Sequence, residues 1–361
     1  MFKKTKKILL LTNQIPEYRI PVFNELGKIY NLTVAHFGKK CSEIDTFFDE
    51  IILTKKEFRS FVFFKENIYK LAHNYEVVVA IGDLHIIPYI LLAFRYKRKF
   101  SLTFWGGDVS FSYNKHYDED RRFDKVRFFI MNKADSLVFY CSYPVSRYVL
   151  DGGIKRDKLF VANNTVAIHT KIKVPLQKKY FLFVGTLYKA KKIYDLLGAY
   201  LIAYNKDINI QPLIIVGTGD EIGNVMSWIE LNKLCKNVFV KGAIYDQDIL
   251  QSIFKDAICC ISPGQAGLSV LTSMAYGVPF ITSENAFTGG EIFNIKHRIN
   301  GIIYDGQIGT LSDIIQELSK NNDEVQRLSI NAQNYYFENA TLNHMVNGLI
   351  ESIEYGYKRI N

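Results

Sequence analysis

The chain has 361 residues, 48% of them apolar, with five cysteines and 45 lysines and arginines against 36 aspartates and glutamates, a net charge of +9. Its length predicts two domains, and no apolar run approaches the ~20 residues that span a bilayer. The apolar stretch behind the basic Met1–Lys7 is too short for a signal peptide, and five cysteines without CxxC or Cys/His spacing argue against a disulfide scaffold or zinc module.

These features predict a soluble, cytoplasmic, metal-free protein. Residues 1–170 hold 27 of the basic and 18 of the acidic residues, so the whole surplus lies there and the remainder balances. Such asymmetry points to an anionic partner for the first half: a membrane surface, a phosphorylated ligand or nucleic acid.

Lys7–Thr12 reads as a first buried strand, followed by the turn Asn13–Pro16, then Tyr18-Arg19 and an amphipathic helix over Pro21–Ile29. Leu32–His36 and Ile51–Leu53 read as strands, and Phe58–His73 has helical period through Phe61, Phe64, Ile68 and Leu71. Val77–Ile81 is an apolar strand, Ile86–Phe94 an apolar helix, and Phe100–Phe104 a strand carrying Trp105-Gly106-Gly107-Asp108 at its carboxyl end. There the glycines would present Asp108 or the indole to a ligand, or Asp108 would simply cap a turn. Asp118-Glu119-Asp120 resembles a metal-binding triplet, but at the start of the expected helix Arg121–Lys133 it complements the helix dipole. Arg95-Tyr96-Lys97-Arg98-Lys99, with Lys3, Lys4, Lys6, Lys7, Arg121, Arg122, Lys125 and Arg127, forms a basic–aromatic set suited to anionic lipid, or an ordinary solvated face. Ser136–Tyr140 and Lys158–Val161 complete this half, whose alternation of strands and helices predicts a doubly wound sheet.

Ala167–Lys179 lacks period and reads as the hinge. Tyr180–Val184 is a strand, and Gly185-Thr186-Leu187 opens a loop reaching Lys189, Lys191 and Lys192 before the helix Tyr194–Ala203. Close backbone plus a point charge is what a phosphate needs. Leu213–Val216 ends in Gly217-Thr218-Gly219-Asp220-Glu221, and Val238–Val240 in Lys241-Gly242-Ala243-Ile244. The strand at Ile258 breaks at Ser262-Pro263-Gly264. Gln265-Ala266-Gly267 then lead into a helix over Leu268–Tyr276, and Phe280–Thr282 is the next strand. In such sheets ligands sit beyond the carboxyl ends of the strands. Leu328–Tyr355 reads as a helical tail.

The order VGTL, KK, DLL, IIVGTGDE, VFVKGAIYD, SPGQAGLSVLTSMAYGVPFIT, Glu291 and NGIIYD, preceded by TNQIPEYRIPVF, FWGGD and KLFVANNTV, resembles retaining glycosyltransferases of family 4. The resemblance covers nearly the whole chain. It implies the GT-B fold: α/β, with two Rossmann-like doubly wound domains facing a cleft and a C-terminal helix crossing back to the first domain. The implied boundaries are 1–170 for the acceptor-binding domain, 171–340 for the nucleotide-sugar domain and 341–361 for the returning helix.

The implied activity moves a sugar from a UDP- or GDP-linked donor to a glycan or polyprenyl-diphosphate-linked acceptor, with retention, in cell-surface polysaccharide assembly. No cofactor or metal is implied, because amides and basic side chains stabilise the departing diphosphate. The expected partners are the donor, the acceptor and an anionic membrane surface on the inner face of the plasma membrane, with no nucleic acid. Residue by residue, the resemblance places Asp108, Lys191 and Glu291 at the reacting centre. Around the donor it places Gly185, Thr186, Lys189, Lys192, Gly217, Gly219, Ala243, Ile244, Gly264, Gly267, Leu268, Ser269 and Thr272. Tyr18, Arg19, Trp105, Arg95, Lys97 and Arg98 are assigned to the acceptor or membrane side. Two family glutamates, seven residues apart, are replaced by Gly264 and Thr272, which leaves the donor sugar open and gives the alternative of a non-catalytic nucleotide-sugar-binding scaffold on the same fold.

Overall fold

The computed structural model describes residues 6–41, 45–95, 98–106 and 122–360. They divide into two compact units, one made of the described residues up to Ala167 together with those from Leu342 onward, the other of Ile168–Thr341.

The strands of the first unit are β1 (Lys7–Leu11), β2 (Asn31–His36), β3 (Asp49–Ile52), β4 (Lys55–Phe58), β5 (Phe61–Phe64), β6 (Val77–Ile81), β7 (Ser101–Trp105), β8 (Ser136–Phe139) and β9 (Leu159–Val161). Seven of them form a parallel sheet in the order β3-β2-β1-β6-β7-β8-β9. A parallel sheet is covered on both faces, so its strands read as unbroken apolar runs. Alternate side chains then serve opposite cores: Leu9, Leu11, Val78 and Ala80 join one, Ile8, Leu10, Val77 and Val79 the other. The second core is closed by the terminal helix Leu342–Lys358, which contributes Leu342, Met345, Val346, Leu349 and Ile353 at helical spacing. Gly348 lets this helix press on β9, since a β-carbon there would lie 2.1 Å from the Val161 carbonyl oxygen. Lys6 and Tyr30 both engage Glu354 and pin its far end. The C-terminal helix therefore packs within the first unit.

Two expectations fail locally. The helix expected over Phe58–His73 is instead the antiparallel hairpin β4–β5 followed by a short helix, Ile68–Ala72, capped by Asn67. Phe61, Phe64, Ile68 and Leu71 fit a helical period, but Phe61 and Phe63 are exposed while Val62 and Phe64 pack inward, which is strand alternation. The tail Leu328–Tyr355 is two helices, Asn322–Asn339 and Leu342–Lys358, and the chain passes from one unit to the other between them.

The second unit holds β10 (Tyr180–Val184), β11 (Leu213–Val216), β12 (Val238–Val240), β13 (Ala257–Ile261), β14 (Gln265–Ala266), β15 (Phe280–Ser283), β16 (Phe287–Thr288) and β17 (Gly301–Tyr304). Six form a parallel sheet in the order β12-β11-β10-β13-β15-β17, and β14 pairs with β16. The chain builds outward from β10 to β12, then returns to the other side of β10 at β13, so the strand order reverses between β10 and β13. A crevice opens at such a reversal, beyond the carboxyl ends of the two strands. Here those ends carry Gly185 and the turn Ser262-Pro263-Gly264.

Candidate functional site

Three loops meet at that reversal, and glycines allow them to touch backbone to backbone. Leaving β10, the chain runs through Gly185–Tyr188 and a single 3-10 turn, Lys189–Lys191, before the helix Ile193–Lys206. Gly185 N–H donates to Val216 and Leu187 N–H to Thr218, while Glu221 N–H donates back to Leu187. A β-carbon on Gly217 would stand 1.9 Å from the Gly185 carbonyl oxygen, and one on Gly264 would stand 2.1 Å from that of Ala190. Gly264 N–H also donates to the Lys191 carbonyl. No side chain fits at either position without moving the backbone.

Lys191 is the cation this packing encloses. Its side chain is buried, and Nζ lies 3.1 Å from where a β-carbon on Gly185 would stand. No acceptor or carboxylate in the described residues pairs with its ammonium, which is not among the fully buried unpaired atoms and so keeps an edge open to solvent. Burial holds its pKa below the ordinary lysine value, with the Cys260 thiol opposing. A lysine so largely buried, its ammonium served by solvent alone, is placed for an anion to complete it. Lys189, Lys192 and Thr186 are exposed on the same loop, Lys192 in the left-handed region at φ +52°. Beside them an open depression of about 430 Å³ is lined by Tyr188, Lys189, Ala190, Asp220 and Glu221.

The remaining donor-side residues lie on the same end of the sheet. Gly219 passes under the Leu187 carbonyl, where a β-carbon would stand 2.3 Å away. Gly217 N–H donates to Gly242, which sets the turn holding exposed Ala243 and half-buried Ile244. Gly267, Leu268 and Ser269 are half-buried at the start of the helix Ser269–Ala275. The Thr272 hydroxyl donates to the Leu268 carbonyl within that helix, leaving only its lone pairs for a ligand. Glu291 is buried, and its carboxylate accepts the Gly289 N–H at 2.9 Å, while Thr288 Oγ1 takes the amides of Gly290 and Ile292. Glu291 thus braces the turn it closes.

In the first unit, several assignments to the acceptor or membrane side need correction. Trp105 is buried in the core against Phe23 and Tyr140, so it cannot face a membrane. Arg19 is also buried: its guanidinium lies 5.1, 5.2 and 5.0 Å from the ring centres of Tyr18, Trp105 and Tyr140, with Nη1 against the Met345 sulfur. Arg98 is committed to Asp135 at 2.7 Å, and Asp135 also accepts the N–H of Leu102 in β7. Tyr18 and Arg95 are exposed. Asp108 and Lys97 lie outside the described residues, as do Asp118, Glu119 and Asp120. Among the described residues no three His, Cys, Asp or Glu side chains cluster as metal ligands, and no helix is long and apolar enough to cross a membrane.

Comparison with known proteins agrees with this architecture. Residues 165–335 match the model of the family described as glycosyl transferases group 1. The poly(glycerol-phosphate) alpha-glucosyltransferase of Bacillus subtilis (strain 168) is 25% identical over 268 residues, 68% of this chain but 39% of that protein, so this chain spans well under half of that relative's length. Among solved structures, S. aureus TarM in complex with fondaparinux, alpha-GlcNAc-glycerol and UDP aligns over 97% of this chain and 100% of its own, at 13% identity and TM-score 0.69. Anabaena HepE in complex with UDP-glucose aligns over 97% and 100%, at 15% identity and TM-score 0.70. A glycosyltransferase from Rickettsia africae aligns over 99% of each chain, at 17% identity and TM-score 0.73. The chain therefore has the GT-B fold, and the match to glycosyl transferases group 1 falls on its second unit.

Proposed function

We propose that the protein is a metal-independent, retaining glycosyltransferase that moves a hexose from a UDP- or GDP-linked sugar to a glycan or polyprenyl-diphosphate-linked acceptor in cell-surface polysaccharide assembly. The observation that carries this reading is Lys191, a largely buried lysine whose ammonium has no partner among the described residues, at the point where the strand order reverses and beside glycine loops packed backbone to backbone. A diphosphate supplies the missing anion, and the glycine loops let it approach the amides closely. The UDP and UDP-glucose bound in the TarM and HepE structures support a nucleotide-sugar donor.

In this reading the bond from the anomeric carbon to the diphosphate oxygen breaks on the face where the acceptor oxygen attacks. The acceptor's proton passes to the departing diphosphate, whose charge Lys191 and the loop amides stabilise, with Lys189 and Lys192 at the rim. Glu291 orders the turn nearest the sugar. Gly264 stands where the family places its first sugar-binding glutamate, and the 2.1 Å approach leaves no room for one. Sugar hydroxyls are therefore held by backbone groups and by the Glu291 turn.

The test is a thermal-shift panel of UDP, GDP, dTDP and CMP with their sugars, without added metal, followed by NMR of the product's anomeric carbon. A ligand that binds only the native state raises the midpoint. One diphosphate series should stand out, and transfer should keep the donor's anomeric configuration. Binding without transfer or hydrolysis across a broad acceptor screen would instead favour the scaffold alternative, and no shift with any nucleotide would remove the donor site.

A further inference from the structure

We infer that the first unit docks on an anionic bilayer through the face made by Leu91 and Phe94 together with Phe123, Val126 and Phe129. The inference rests on the reading of a membrane-borne acceptor, but vesicle binding is measured without any sugar donor, so either can fail alone.

These five apolar side chains are between 46% and 60% exposed. Singly exposed apolar residues are ordinary, whereas a contiguous set marks an interaction surface. Contiguity is shown by Phe94 and Phe129, which lie on different elements with ring centres 6.1 Å apart. On the helix Asp124–Met131, Val126 and Phe129 are three residues apart, and Phe123 precedes Val126 by three, so all fall on one side. The other side buries Phe128 and Met131, and Ile130, one turn on from Val126, is buried at the edge of the exposed set. The helix thus already spends one apolar face on the core and presents a second outward. Leu91 extends the surface into a shallow groove of about 180 Å³ that it lines with Phe63, Ile87 and Arg95.

Charge identifies the occupant. Arg122 lies over the Phe123 ring at 5.7 Å, Lys133 Nζ over Phe129 at 4.9 Å, and Lys125 is exposed between them. Arg95 is exposed at the groove, over the Tyr69 ring. Among the described residues the nearby acids are engaged: Asp124 with Arg147, Asp135 with Arg98, and Glu66 with the Thr54 amide. Rings that enter the acyl boundary while their cations stay at phosphate level are what an anionic leaflet accepts. A second copy meeting this face about a two-fold axis would set four cations against the same four. An anionic bilayer meets both demands, apolar depth and negative headgroups.

The experiment is co-sedimentation of the full chain with phosphatidylcholine vesicles, with and without phosphatidylglycerol, at low and high salt. Wild type should pellet with the phosphatidylglycerol vesicles and largely lose this at high salt. Phe94→Ser/Phe129→Ser, two exposed positions, should keep the wild-type thermal midpoint and weaken partition by about ten-fold or more. Lys125→Glu/Lys133→Glu should abolish the preference for phosphatidylglycerol. Wild type remaining in the supernatant, or all variants pelleting like wild type, would overturn the inference. So would a concentration-dependent dimer in sedimentation velocity that Phe94→Ser/Phe129→Ser removes, since the face would then join copies of the chain.

Discussion

Gly217 runs beneath Gly185 so closely that a β-carbon on it would stand 1.9 Å from the Gly185 carbonyl oxygen, and Gly217 itself sits at φ +154°. Both conditions exclude alanine, so Gly217→Ala should lower stability by more than ~2 kcal/mol, by backbone clash and strain together. Gly223, in the helix Ile222–Leu231 with open space around it, is the contrast. Gly223→Ala should stabilise by up to ~1 kcal/mol through helix propensity. Thermal midpoints of the two variants, moving in opposite directions, check the argument; a harmless Gly217→Ala would mean that the loops are looser than described.

Lys191→Met separates binding from folding. The ammonium has no protein partner to lose, so the ligand-free midpoint should hold or rise. Nucleotide affinity should fall by roughly ten- to a hundred-fold, the worth of one charged hydrogen-bonding contact. A titration with the nucleotide that shifts wild type most reads both quantities. Unchanged affinity would leave Lys191 as a core residue and take the main support from the donor site.

The same residue gives affinity a pH dependence of known sign. Burial lowers the Lys191 pKa in the free protein, and a diphosphate favours the charged form. Binding should therefore take up a proton once the pH exceeds that lowered value, and affinity should decline as pH rises through it toward the ordinary lysine range. Calorimetry in two buffers of different ionisation enthalpy counts the proton directly. Lys191→Met should show no such uptake.

The parallel sheets were the most legible part of the chain, because strands buried on both faces leave unbroken apolar runs. Tyr180–Val184, Leu213–Val216 and Val238–Val240 are strands with the bounds their composition suggested, and each ends in the glycine turn that follows it in sequence. The hairpin β4–β5 was not legible, since Phe61, Phe64, Ile68 and Leu71 satisfy a helical period while Arg59, at φ +55°, makes the turn that decides otherwise. Burial of cations was also hidden. Arg19 is covered by rings from positions 18, 105 and 140, and Arg98 by an aspartate 37 residues away, so neither environment exists in any local window. Lys191 stands near the glycine loops in the sequence itself, but its burial without a protein partner exists only once the three loops pack. The exposed stripe Phe123, Val126 and Phe129 is hidden in the sequence because Phe128, Ile130 and Met131 beside it are apolar as well, and only burial separates the two sets.

Glu291→Gln tests whether the braced carboxylate also meets the sugar. Glutamine keeps an oxygen for the Gly289 amide, so the fold should stay within ~1 kcal/mol of wild type. Only the negative charge is lost, and kcat at saturating donor should drop by about ten-fold or more if that charge faces the reacting centre. Wild-type kcat would confine Glu291 to shaping its turn.

Lys178 offers a stability test independent of any ligand. Its ammonium is buried and donates to the Lys255 and Gly277 carbonyls at 2.9 and 3.1 Å. Burial lowers its pKa to about 8, with Asp256 and Cys259 opposing. In the unfolded chain the same group holds its proton to about pH 10.4. Between those values the unfolded state binds more protons, so this group's contribution to stability rises with pH. It is fully present above the unfolded pKa and lost as pH falls through about 8. The span is on the order of 3 kcal/mol. Other groups titrate in the same range, but they do so equally in Lys178→Met, where this one is removed. The change in thermal midpoint between about pH 7.5 and about pH 9.5 should therefore be less favourable in Lys178→Met than in wild type. Parallel curves would mean that Lys178 keeps its proton throughout, its two carbonyl partners being enough to hold the charge.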